Sequence, residues 1–234
     1  SASRHSRGNI LFLILLAIVL FVALSYAIMG QREGSKSNSS ERVATQAATI
    51  MQTATLIANT VNRLVVINGC KPNEISFQQN TESGYTNPNM TTSRCKVFDA
   101  AGGGAAFPIP DPLWMVDTAL KWSFTGYFGV IGIGTDSTDS TSSELVAYLP
   151  NIRKDICLEI NKTLGLTNPN GYQDQIAGVS ANAPYFVGSF AWHGSGNGQV
   201  GNNNFPPGQH YGCVNRGDIG VGDYFAYYHV LLAR

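Results

Sequence analysis

The chain has 234 residues, 44% of them hydrophobic and only 13% charged, with fifteen basic and fifteen acidic side chains and no net charge. An average soluble domain carries about 25% charged residues. Neutral, scattered charge lacks the basic patch that nucleic-acid binding needs, and the aromatic content excludes a disordered chain. The length fits one domain plus an appendage.

The appendage comes first. Residues 10–29 read ILFLILLAIVLFVALSYAIM, and no charge occurs between Gly8 and Gln31. A helix of that length spans about 30 Å, the thickness of a bilayer's hydrocarbon core. A helix buried in a soluble protein usually keeps a polar face, and this one has none. Arg4, His5 and Arg7 precede it, which puts the N-terminus on the cytoplasmic side. The run is longer than the core of a cleaved secretory signal. Residues 1–30 are therefore expected to persist as a leader followed by a transmembrane or filament-core helix.

Residues 31–40 (QREGSKSNSS) read as a polar linker between two helices, with Asn38 and Glu41 as N-cap and capping-box partner of the second. Over 41–67, Val43, Ala47, Ile50, Met51, Ala54, Ile57, Ala58, Val61, Leu64 and Val65 recur at three- and four-residue steps. That spacing predicts an amphipathic helix, ending at the left-handed pair Asn68-Gly69.

From Cys70 onward, short apolar segments alternate with Gly, Pro, Asn, Ser and Thr clusters, which predicts strands and long loops. Strands are expected over 121–128, 185–192 and 224–232, each rich in aromatic and β-branched residues. A further helix is expected over 143–164, with Leu145, Leu149, Ile152, Ile156, Ile160 and Leu164 as its buried stripe and Pro150 kinking it. The fold class is α+β, and residues 41–234 form the head. Residues 167–234 hold just five charged residues: Asp174, Arg216, Asp218, Asp223 and Arg234. A free surface mixes many more, so neighbours are expected to cover part of it.

Cys70, Cys95, Cys157 and Cys213 are even in number and show no CxxC or Cys/His spacing. Two disulfides are expected rather than a metal site. Of the three pairings, Cys70–Cys95 with Cys157–Cys213 is preferred, because the first pair closes a loop without secondary structure. Disulfides place the head outside the cytoplasm, in agreement with the charge asymmetry around the apolar run.

Catalysis needs a nucleophile beside a base, paired carboxylates or metal ligands. His5 lies in the leader, His193 and His210 in glycine-rich loops, and His229 inside an expected strand. No HExxH, GxSxG or phosphate-loop sequence occurs. His193-Gly194-Ser195 are neighbours in a loop, which is a poor basis for a triad. Gly196–Gly201 matches GxGxxG, but Asn202-Asn203-Asn204-Phe205-Pro206-Pro207 cannot supply the helix that motif requires. Asp136, Asp139 and Glu144 offer a weak calcium set; a solvated loop capping the next helix through Ser142 or Ser143 is the preferred reading. Arg216-Gly217-Asp218 spells an adhesion tripeptide by chance, and Asn38, Asn89 and Asn161 head N-glycosylation patterns. No enzyme, metal or cofactor is expected.

The layout as a whole resembles a type IV pilin or pilin-like filament subunit. The match rests on Arg7-Gly8-Asn9, the apolar run 10–29, the amphipathic helix and a disulfide-bearing α+β head. It is a divergent resemblance, since the fifth position is His5 counted from Ser1 and Leu13 counted from Asn9, where the family carries a glutamate. The resemblance implies a long N-terminal helix whose second half packs on an antiparallel sheet. It also implies a polymer of identical copies built through Ile10, Leu13, Leu16, Val19, Leu20 and Leu24. The chain would sit in the inner membrane before assembly and in an extracellular filament afterwards. A single-span, membrane-anchored binding protein that never polymerises is the alternative.

Overall fold

The computed structural model describes residues 9–80, 82–134, 143–166, 172–173, 184–190, 199–200, 206–215 and 224–234, and within these the side chains of 9–11, 27–38, 172–173 and 199 are excepted. The chain divides into two compact units, Ser1–Val43 and Ala44–Arg234.

Helix α1 runs over Asn9–Val66. The expected linker is thus corrected: the backbone stays helical through residues 31–40, and Asn38 is an interior position rather than an N-cap. The reason is energetic. The stretch has no proline, Gln, Arg, Glu and Lys are good helix formers, and Gly34 costs only about 1 kcal/mol. Extending an existing helix also avoids the cost of nucleating another.

In the second unit α1 behaves as its spacing predicts. Ala47, Ile50, Ala54, Ile57, Ala58, Val61 and Leu64 are buried. On the outer side Thr49, Thr53, Thr55 and Thr60 turn their hydroxyls back onto the carbonyls four residues earlier. Gly69, at φ +71°, ends the helix, and the Cys70 N–H folds back to the Leu64 carbonyl at 3.1 Å. The Cys70–Cys95 disulfide then ties this end to the segment beyond it.

The head carries a sheet in the order β3-β5-β6-β2-β1-β4. Strands β1 (Ser123–Val130), β2 (Glu144–Ile152), β5 (Tyr211–Asn215) and β6 (Phe225–Leu232) pair antiparallel. The two-residue strands β3 (Tyr172–Gln173) and β4 (Gln199–Val200) flank them in parallel. The fold is α+β around an antiparallel sheet, and the strands expected over 121–128 and 224–232 are β1 and β6.

Two expectations are corrected. Residues 143–164 do not form one kinked helix: β2 occupies Glu144–Ile152 and helix α2 occupies Lys154–Thr163. β2 is central, buried on both faces, so its apolar residues need no alternation. Pro150 is tolerated because it lies where the β2–β6 register slips between Leu149 and Ile152, beside Asn151 at φ +53°; bulges are where strands accept proline. The segment expected as a strand over 185–192 is irregular across its described part. Phe186 N–H reaches Phe124 O at 2.8 Å, but Gly188, at φ +85°, breaks the extension.

A bulge in β1 between Thr125 and Phe128 sends Phe124 and Phe128 to opposite faces of the sheet. Phe128 joins Val130, Val146, Tyr148, Val214, Ala226, Tyr228 and Val230 in one core cluster. Phe124 stacks on Phe77 at 4.5 Å, with Phe98 and Phe107 packed around it. α2 packs on β5 and β6 and is joined to β5 by Cys157–Cys213.

Candidate functional site

The residues expected to drive polymerisation lie on α1. From Phe12 to Tyr26 every large hydrophobic side chain is solvent-exposed, from 48% at Leu16 to 82% at Tyr26. Leu13, Leu16, Val19, Leu20 and Leu24 are among them; the side chain of Ile10 lies outside the described residues. Phe12 to Leu16 and Ile18 to Val22 are consecutive, and five consecutive residues at about 100° each circle the helix. The apolar surface therefore faces all directions rather than forming a stripe. Among the described residues no helix is long and apolar enough to cross a membrane; the described apolar side chains, 12–26, fall short of the ~20 that a span needs.

The disulfides join Cys70 to Cys95 and Cys157 to Cys213, the preferred pairing, with Cα separations of 5.8 and 5.3 Å. The cysteines are buried. The second bridge has a companion that the sequence reading missed. Asn161, one turn beyond Cys157 on α2, donates from Nδ2 to Cys213 O at 2.8 Å and accepts at Oδ1 from Cys213 N–H at 2.9 Å. Asn161 is almost fully buried, so its glycosylation pattern is occupied structurally. Asn89, by contrast, is exposed, with Nδ2 donating to Gly188 O.

Of the calcium set, Asp136 and Asp139 lie outside the described residues. Glu144 is buried at the start of β2 rather than solvated, and its Oε2 accepts from Val130 N–H at 2.7 Å. Burial pushes its carboxyl up to about 7, against the opposing pull of the Val130 N–H and of Arg234. Among the described residues no three His, Cys, Asp or Glu come together as a metal site. Ser143 caps no helix; its hydroxyl is buried, with no hydrogen-bond partner among the described residues.

His193, Ser195 and the Arg216-Gly217-Asp218 tripeptide lie outside the described residues, as does most of the 196–201 glycine pattern. His229 sits within β6, where its Nδ1 meets the Tyr227 hydroxyl at 2.9 Å and its ring stacks on Tyr211 at 4.9 Å. Burial, with a smaller push from His210, lowers the His229 imidazole to about 4. Burial also drives the Tyr227 phenol strongly upward, so both partners of this hydrogen bond are held neutral. His229 and Tyr227 are both buried, as a packed pair within the sheet.

Among the described residues, an open groove of about 580 Å³ runs between α1 and the segment after Gly103. Leu56, Ile57, Ala106, Phe107 and Pro108 give it apolar walls, and Arg63 stands in it. The Arg63 guanidinium donates to Gly103 O, and it makes no ion pair among the described residues.

No protein-family model matches the chain, and neither a curated protein nor a solved structure does.

Proposed function

We propose that the chain is the structural subunit of a surface filament and polymerises through the apolar segment 10–29. The observation that carries this reading is the exposure of consecutive large apolar side chains around the whole circumference of α1 from Phe12 to Leu24. Exposed apolar surface on that scale marks a site of association. Residues 10–29 are long enough in sequence to reside in a bilayer first. Identical helices packed together replace lipid contacts with similar ones, so leaving the membrane costs little. Contacts between copies that do not close into a ring give an open helical polymer. Two disulfides suit a head held in an oxidising, extracytoplasmic compartment.

The resemblance to pilin-like subunits supports the same assignment, with the inner membrane as the place before assembly and the cell surface afterwards. No catalytic, metal or cofactor role enters it. The test is Leu16→Asp or Val19→Asp, read by electron microscopy and mass spectrometry of sheared surface material. Filaments containing this chain are expected for the parent and absent for either variant, while the head still forms both disulfides. Filaments at the parent yield from the variants would refute the reading. A full-length chain that stays monomeric in mild detergent would replace it with a single-span anchored binding protein.

A further inference from the structure

The groove beside α1 is apolar and open, and it holds one cation, Arg63, that makes no ion pair among the described residues. A second feature of the same head is equally unsatisfied. Immediately beyond the groove wall, Ile109 is 85% exposed and Leu113 is 52% exposed, with Asp111 between them on the surface. The prolines at 108, 110 and 112 restrict this stretch, so little conformational entropy is lost when it docks. Asp111 Oδ1 accepts from Leu113 N–H at 2.8 Å and opens a short 3-10 turn. That leaves Oδ2 without a hydrogen bond among the described residues.

We infer that Ile109–Leu113 of one copy docks into the groove between α1 and the 103–108 segment of a second copy, with Asp111 meeting Arg63. The two apolar knobs supply the body that the groove walls lack, and the carboxylate supplies the charge that Arg63 lacks. Within one chain the knob adjoins the wall that ends at Pro108 and cannot turn back into the groove it extends, so the occupant comes from another molecule. Apolar contacts with a charge pair at the edge give such a contact its register. It rests on the filament reading only in needing copies held side by side, and it adds a contact between heads to the one between N-terminal helices.

The experiment co-expresses two differently tagged full-length chains in which Ile109 is replaced by the photo-crosslinking residue p-benzoylphenylalanine. After irradiation of intact cells, a product carrying both tags is expected, with the linkage mapped by mass spectrometry to residues 53–63. Arg63→Asp sets two carboxylates against each other, and the yield is expected to fall at least about tenfold, because like-charge juxtaposition is strongly unfavourable. Adding Asp111→Arg to Arg63→Asp is expected to restore it. Asp111→Asn keeps the turn but removes the charge, and is expected to lower the yield without disturbing the head's circular dichroism. Absence of a doubly tagged product, linkage elsewhere, linkage to a different molecule, or indifference to Arg63→Asp would each overturn the inference. Filaments that form without the doubly tagged product sink this contact alone. Doubly tagged product without filaments sinks the filament reading and leaves the contact standing.

Discussion

Asn161 grips Cys213 by both of its main-chain groups, at 2.8 and 2.9 Å, one helical turn from the disulfide partner Cys157. The side-chain amide offers a donor and an acceptor in the arrangement of a peptide group. It thus serves β5 as a single residue of an extra strand, next to Val214 and Asn215, with which the described residues of β3 pair. Helix α2 is fixed to the sheet covalently at one position and by paired hydrogen bonds at the next turn.

Asn161→Ala leaves the Cys213 N–H and carbonyl buried without these partners, and an unmet buried group costs about 1–3 kcal/mol. Urea unfolding should show a loss of that size. Removing Cys157–Cys213 by paired serine substitution should cost about 4 kcal/mol on chain-entropy grounds. The double change should be non-additive, because both features hold the same junction. Asn161 should also carry no glycan in the folded head when its tryptic peptide is weighed.

Glu144 and His229 oppose each other across the acid range. The Glu144 carboxyl is raised to about 7, so the native state binds its proton more tightly than the unfolded chain does. Its contribution is fully present below its ordinary value of 4.5 and is lost as pH climbs to about 7. The His229 imidazole is lowered to about 4. Its contribution is present above the ordinary 6.5 and is lost as pH falls towards 4. Each swing is about 3 kcal/mol, and the two largely cancel in the parent. Glu144→Gln should therefore expose a stability that falls on acidification from pH 7 to 4. His229→Gln should expose one that rises over the same interval. Melting temperatures of the three proteins at pH 4.5, 5.5, 6.5 and 8 check this; parallel curves would exclude it.

The sequence carries these elements unevenly, for physical reasons. The buried face of α1 from Ala47 to Leu64 and the strands β1 and β6 are legible because one helix face or one aromatic, β-branched run is buried. β2 is not. Leu145, Leu149 and Ile152 fall at helical spacing by coincidence, since a strand buried on both faces is apolar at every position and so mimics any period. Pro150 was the available signal, because a helix interior holding it loses about 3 kcal/mol, whereas a bulge accommodates it. The disulfide pairing was legible from loop closure, but Asn161 was not. Its role depends on a residue fifty-two positions away, which no local pattern records.

At Gly103 the segment lining the groove lies against the helix. A methyl group there would stand 2.2 Å from Val97 O and 2.5 Å from Thr60 Cγ2. The first is backbone and is fixed by the Ala105 N–H to Val97 O bond at 3.1 Å. Gly103→Ala should cost about 1–3 kcal/mol as overpacking. Gly104, at φ +64° with nothing near its missing Cβ, should lose only about 1–2 kcal/mol to backbone strain on Gly104→Ala. Thermal unfolding of the two variants separates steric from conformational cost.

The circumferential exposure of α1 makes a prediction about geometry as well as about assembly. If the segment joined one partner helix only, aspartate substitutions would hurt at one face and be tolerated at the opposite one, giving a sensitivity that repeats every 3.6 residues. A helix surrounded by copies of itself has no tolerant face. Each aspartate then carries roughly the same burden, about 2.5–3.5 kcal/mol by the membrane-insertion scale. An aspartate scan over Phe12, Leu13, Ile14, Leu15, Leu16, Ile18, Val19, Leu20 and Phe21 should accordingly abolish sheared filaments at every position. A helical period in the surviving yields would show that the assembled state buries a single face and leaves the other to lipid or solvent.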